Sequence, residues 1–149
     1  MRAVIQRVSE AQVTVNSEIV SSIKNGVLAL IGIETNDNKT DMTYIANKII
    51  GMRIFDDDQG VMNLSVQDIE GEILLVSQFT LYGDVRKGKR PSYSQAMSPE
   101  TANDFFETFV DMCKSQYDKI YTGSFGEYMK VTLINDGPVT ILLDSKKLL

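Results

Sequence analysis

The chain has 149 residues, 43% hydrophobic and 23% charged, with a formal net charge of −5. That is enough for one core without staples, offers no apolar run long enough for a membrane span, and argues against general polyanion binding. With no histidine and one cysteine, it cannot form an internal disulfide, has almost no ligands for zinc, and lacks the commonest general base.

The opening Met1-Arg2-Ala3-Val4-Ile5-Gln6-Arg7 alternates like a strand and has neither the apolar block nor the cleavage site of a signal peptide. With a single thiol, this points to the cytoplasm. Short strands are predicted at residues 3–8, 12–15, 18–23 and 27–33, with Asn16-Ser17 and Asn25-Gly26 as turns. A first helix follows, its stripe made by Met42, Ile45, Ala46, Ile49 and Ile50, with Asp41 and Lys48 off the stripe and Thr40 or Asp41 as N-cap. Residues 56–60, Asp56-Asp57-Asp58-Gln59-Gly60, read as a turn; the glycine and the acidic positions do not fit a calcium loop.

Residues 73–78 form an apolar run expected to be a buried central strand. A second helix starts at Ser98-Pro99-Glu100 and buries Ala102, Phe105, Phe106, Phe109, Val110 and Cys113, so Cys113 is read as an inert core thiol. Strands at 129–134 and 139–143 close the chain around the interruption Asn135-Asp136-Gly137-Pro138. Strands in runs, rather than strict alternation with helices, predict a single α+β domain over residues 1–149, with mainly antiparallel or mixed sheet and two main amphipathic helices.

Gly83-Asp84-Val85-Arg86-Lys87-Gly88-Lys89 begins like a phosphate-binding loop, but Arg90 replaces the magnesium-binding Ser or Thr and Pro91 opposes the helix that should follow. What remains is a dense basic cluster, either a solvated loop or an RNA contact. In Ser77-Gln78-Phe79-Thr80-Leu81-Tyr82 the polar groups need partners, because an unpaired buried one costs roughly 1–3 kcal/mol. Gln78 and Thr80 either satisfy neighbouring backbone or line a pocket; Thr80 is then a candidate nucleophile without an evident base. In Gly137-Pro138, a glycine with no side chain and a proline with no N–H leave bare carbonyl oxygens for a ligand.

The opening octet ending in Val8, the block Ser77 to Tyr82, Arg90-Pro91-Ser92-Tyr93 and Asn135-Asp136-Gly137-Pro138-Val139-Thr140 occur in order over nearly the whole chain. Together they resemble the D-aminoacyl-tRNA deacylases, chirality-proofreading enzymes of translation. The resemblance implies a homodimer with active sites at the subunit interface, and a Gly137-Pro138 motif with a cis peptide bond inserted into the partner's site. There its carbonyls would face the substrate α-amino group and exclude an L side chain; glycyl-tRNA, including glycine mischarged on tRNA(Ala), would escape the exclusion. It further implies that Gln78, Phe79 and Thr80 carry the catalytic block, with the Phe79 N–H as oxyanion donor. Ser77, Phe125, Gly126 and Met129 would bind the substrate's 3′-terminal adenosine region, and Arg7 would brace the Gly-Pro loop. The ribose 2′-hydroxyl would assist attack. No metal, cofactor, membrane or DNA partner is implied. Two alternatives stay open: a non-catalytic tRNA-binding module and a Thr80-nucleophile esterase.

Overall fold

The computed structural model describes every residue from Met1 to Leu149. Its first strand, β1 (Arg2–Val15), is continuous, where two strands were expected. Polar Ser9 and Glu10 read as a break, but they fall at register shifts against the last strand that bend β1 without ending it. Asn16 and Ser17, with φ of 49° and 66°, make the tight turn into β2 (Glu18–Ile23). Gly26 is not a turn residue as expected: it opens β3 (Gly26–Gly32). A Cβ there would stand 1.8 Å from the Glu72 carbonyl oxygen, so its bare Cα permits close approach to the neighbouring strand.

Helix α1 (Lys39–Gly51) buries the expected Met42, Ile45, Ala46, Ile49 and Ile50. Its N-cap is Asn38, not Thr40 or Asp41. The Asn38 side chain accepts from the Thr40 N–H at 2.8 Å, and the Asp41 carboxylate accepts from the Asn38 N–H at 2.9 Å. Asp41, expected off the buried stripe, is itself buried, and both its oxygens accept from Lys146 Nζ, at 2.8 and 3.0 Å. The Ser145 hydroxyl donates to it as well. A small hairpin of β4 (Phe55–Asp56) and β5 (Met62–Leu64) follows, closed by Asp57, whose carboxylate accepts from the Gln59 and Val61 N–H groups.

Strand β6 (Glu72–Ser77) is buried as predicted and lies between β3 and β7 (Ile120–Thr122), parallel to both. Parallel neighbours need crossovers; α1 with the small hairpin supplies one, and α2 (Pro99–Gln116) the other. Pro99 begins α2, but Ser98 makes no side-chain cap to the backbone and bonds Thr101 instead. Strand β8 (Lys130–Asp144) runs antiparallel to β1 over nearly its whole length. The main sheet is ordered β2-β1-β3-β6-β7, with β8 on β1.

One sheet face, carrying Ala3, Ile5, Val27, Ile31, Ile73 and Leu75, packs on Ile45 and Ile49 of α1 and Phe106, Phe109 and Cys113 of α2. The other face buries a second cluster, including Val8, Val13, Leu28 and Leu74. Burial pushes the Cys113 thiol up to about 12, which fits an inert core residue. No helix is long and apolar enough to cross a membrane.

Candidate active site

The final backbone bond of β6 is from the Gln78 N–H to the Ile31 carbonyl, 2.7 Å. The chain then tightens into a 3-10 turn, Phe79–Tyr82, closed by the Leu81 N–H to the Gln78 carbonyl and the Gly83 N–H to the Thr80 carbonyl. The Phe79 N–H opens this turn and therefore has no acceptor within it. Tyr82 anchors the turn in the core, and Arg2 locks it from outside. The Arg2 guanidinium lies 4.6 Å from the Tyr82 ring centroid. It also donates to the Leu81 carbonyl at 3.2 Å and the Asp144 carboxylate at 3.0 Å.

Ser77 and Gln78 are half-buried, while Phe79 and Thr80 are exposed. Gln78 and Thr80 satisfy each other: the Gln78 amide donates to the Thr80 hydroxyl. That amide nitrogen cannot accept a proton, so Thr80 has no base in its own hydrogen bonding. Tyr82 offers none either, because burial, reinforced by Asp37 and Glu34, raises its pKa. No cluster of three His, Cys, Asp or Glu side chains is placed to hold a metal.

Strand β7 continues beside this end of β6, with Thr122 opposite Leu75 and the Gly123 N–H donating to the Leu75 carbonyl at 3.1 Å. Past that bond the chain leaves the strand for a turn, closed by the Glu127 N–H to the Ser124 carbonyl at 3.3 Å. The three residues expected near the adenosine diverge, however. Phe125 turns toward α2, its ring centroid 6.1 Å from that of Phe106, and lines a cavity of about 300 Å³ with Asn103, Glu107 and Val110. Met129 turns toward the second core cluster, its sulfur accepting from the Ser124 N–H. Gly126 is exposed, with φ of 77°.

Gly137-Pro138 is a cis peptide, as the resemblance implied, on an excursion of β8 between the pairs Val8↔Asn135 and Gln6↔Thr140. Both residues are exposed. Arg7, opposite the excursion, donates from Nε to the Asp136 carbonyl and from Nη1 to the Ile54 carbonyl, both at 2.8 Å. Asn135 ties the base of the excursion: its Oδ1 accepts from the Val139 N–H at 2.8 Å, and its Nδ2 donates to Thr140 Oγ1 at 3.0 Å. Sequence reasoning singled out Arg7 but passed over Asn135 and Arg2. The five-residue spacing of Asn135 and Thr140 around Gly137-Pro138 was the available signal for the first; nothing local marked the second.

The two blocks do not meet within one chain. Ser77 pairs with Ile31, Ile31 with Ala3, and Ala3 with Leu143, whereas the excursion lies four residues further along, opposite Arg7. Three strand spacings of about 4.8 Å and four rises of about 3.3 Å separate them by roughly 15–20 Å.

The turn that ends β6 and the Gly137-Pro138 excursion present main-chain groups, on a chain that has no histidine. Residues 4–144 match the family described as D-Tyr-tRNA(Tyr) deacylase. The D-aminoacyl-tRNA deacylase of Thermosipho africanus is 58% identical over 99% of both chains, and that of Thermotoga petrophila is 53% identical with the same coverage. A solved structure titled c-Myc DNA Unwinding Element Binding Protein superposes with a TM-score of 0.93 at 42% identity, covering 97% of this chain and 98% of that one. A probable eukaryotic D-amino acid tRNA deacylase shares the fold, with a TM-score of 0.80 at 18% identity and coverage of 95% and 97%. The chain belongs to the D-aminoacyl-tRNA deacylase family, hydrolases of the aminoacyl-tRNA ester bond.

Proposed function

We propose that this protein hydrolyses D-aminoacyl-tRNA to free D-amino acid and tRNA, acting in the cytoplasm as a homodimer with an active site at each side of the subunit interface. The observation that carries the reading is the fixed, exposed Gly137-Pro138 excursion, braced from behind by Arg7 and Asn135 and too distant from Phe79 to share a ligand within one chain. A second copy supplies the missing half. Ile134 and Leu142, 52% and 56% exposed on the strand that carries the excursion, support a self-association face there.

In this reading the Gly137 and Pro138 carbonyls accept from the substrate's α-ammonium and leave no room for an L side chain. Discrimination is by steric refusal, so the identity of a D side chain matters little. Glycyl-tRNA, including glycine mischarged on tRNA(Ala), passes the same filter. Water adds to the ester carbon, and the Phe79 N–H stabilises the developing oxyanion, a contribution of roughly 3–4 kcal/mol for one such donor. The ribose 2′-hydroxyl assists the attack; the ester C–O bond breaks and the 3′-oxygen takes the proton. Gln78 and Thr80 orient the acyl group, while Ser77 and the exposed turn at Gly126 flank the terminal adenosine; Phe125 and Met129, turned to different sides, hold that turn in place. The mechanism calls on no cofactor.

The test is release of tyrosine from D- and L-tyrosyl-tRNA, with sedimentation of the purified protein. Rapid hydrolysis of the D form alone, by a dimer, is expected; equal rates on both, or an active monomer, sinks the proposal. A Thr80-nucleophile esterase is disfavoured by the Gln78–Thr80 bond, and it predicts turnover of small activated esters without RNA. A non-catalytic tRNA-binding module predicts salt-sensitive binding without turnover. No DNA partner is proposed; tight duplex DNA binding at physiological salt would contradict that.

A further inference from the structure

Residues 84–92 form a closed arm beside the proposed site. Asp84 and Ser92 bridge its base through two reciprocal backbone hydrogen bonds of 2.8 and 2.9 Å. Below that bridge the arm joins the 3-10 turn directly, through the Gly83 N–H to the Thr80 carbonyl at 3.0 Å. On the other side, the Tyr93 ring meets the Phe79 ring edge-on, 5.0 Å between centroids.

The arm carries four exposed cations, and they are not equivalent. Arg86 is engaged within the arm: its Nε and Nη2 donate to the two Asp84 oxygens at 2.9 and 2.7 Å. Lys87, Lys89 and Arg90 make no salt bridge. Three unpaired positive charges in four residues, on a chain of net charge −5, are a local concentration rather than a general bias. Where the arm joins the Ser77–Thr80 block, Phe79 and Tyr93 pack together, 55% and 39% exposed. Unpaired cations for phosphates next to exposed aromatic faces for bases is the combination that holds a single-stranded nucleic acid.

We propose that this arm holds the single-stranded 3′ end of the tRNA. Lys87, Lys89 and Arg90 neutralise the phosphates nearest the terminal nucleotide, and the Tyr93 ring offers a stacking face. An arm of about four residues on each side reaches at most roughly 13 Å from its base, within a few nucleotides of the ester. The arm therefore supplies affinity and register, and no group to the chemistry. This inference rests on the deacylase reading and assigns the surface that such a substrate would use.

The test is the triple variant Lys87→Gln, Lys89→Gln, Arg90→Gln, with kcat/KM for D-tyrosyl-tRNA measured across a salt series. Three single-strand phosphate contacts contribute about 2 to the log–log salt slope, so a fourfold rise in salt should cost the parent about 16-fold more than the variant. The loss should fall on KM. With D-tyrosyl-adenosine, which has no phosphates, the difference between parent and variant should vanish. Equal slopes overturn the proposal, as does an undiminished defect on D-tyrosyl-adenosine, which would make the arm a prop for the site. A control, Lys39→Gln with Lys114→Gln, removes exposed charge elsewhere; an equal fall in its slope would also overturn it. If the parent hydrolyses no D-tyrosyl-tRNA, the deacylase reading fails, and the same slopes measured by binding of uncharged tRNA still decide the arm.

Discussion

Gly137→Ala probes the proposed filter at its narrowest point. Gly137 has φ of 137°, a region that L side chains rarely adopt, and holding a non-glycine residue in such a region costs about 1–3 kcal/mol. The added Cβ would also lie 2.9 Å from Arg7 Nη2 and 2.9 Å from Val139 Cγ2. Arg7 cannot swing away freely, because its guanidinium already bridges the Asp136 and Ile54 carbonyls; releasing one such charged hydrogen bond costs roughly 1.5–3 kcal/mol. The cheaper escape is rotation of the 136–138 backbone, which displaces the two carbonyls by a fraction of an ångström to an ångström. A misplacement of about 1 Å can cost on the order of 100-fold in rate. The variant should therefore stay folded, lose about 100-fold in kcat/KM on D-tyrosyl-tRNA, and show a smaller D-to-L ratio. Paired hydrolysis assays, with urea unfolding to confirm the fold, measure this. A folded variant with the parent's rate and enantiomer ratio would refute the steric argument.

Thr80→Ala removes a hydroxyl that only accepts from Gln78, so single-turnover hydrolysis should keep its rate within a few-fold; abolished turnover with a trapped acyl-enzyme in the parent would restore the nucleophile. The Asp41 carboxyl gives a pH prediction. Burial raises its pKa, but hydrogen bonds from Lys146, Ser145 and the Asn38 N–H outweigh that and hold it at about 2. A depressed folded value means stability that is present above the unfolded pKa, near 4, and lost as pH falls through about 2, on the order of 2 kcal/mol in all. Urea unfolding between pH 5 and 2 should show a shallower loss for Asp41→Asn than for the parent, and parallel curves would remove Asp41 from the account.

Much of the fold was legible because periodicity reports which face is buried. The apolar stripe of α1 and the run in β6 needed nothing beyond their own residues. Asp41 was misread because its partner, Lys146, lies 105 residues away, and no local pattern announces a charge neutralised at that range. The continuity of β1 was hidden for a related reason: Ser9 and Glu10 look like an interruption until β8 is there to pair across the shift. At the site, Gly137-Pro138 and Ser77 to Thr80 stood out as blocks, since glycine, proline and polar residues at strand ends carry their meaning locally. Arg2, the Ile54 carbonyl and the divergence of Phe125 from Met129 depend on chain segments meeting in space, and composition is silent on that.

The pairing of β1 with β8 has a consequence for the protein's birth. Residues 2–14 emerge from the ribosome more than a hundred residues before their partners, 130–144. Until those partners have been made, one edge of β1 has no mate and the main-chain groups on that edge wait in water. Contacts so distant in sequence slow folding, and an unpaired strand edge invites a wrong partner in the interval. Completion of the main sheet thus waits on a segment made more than a hundred residues after the strand it covers.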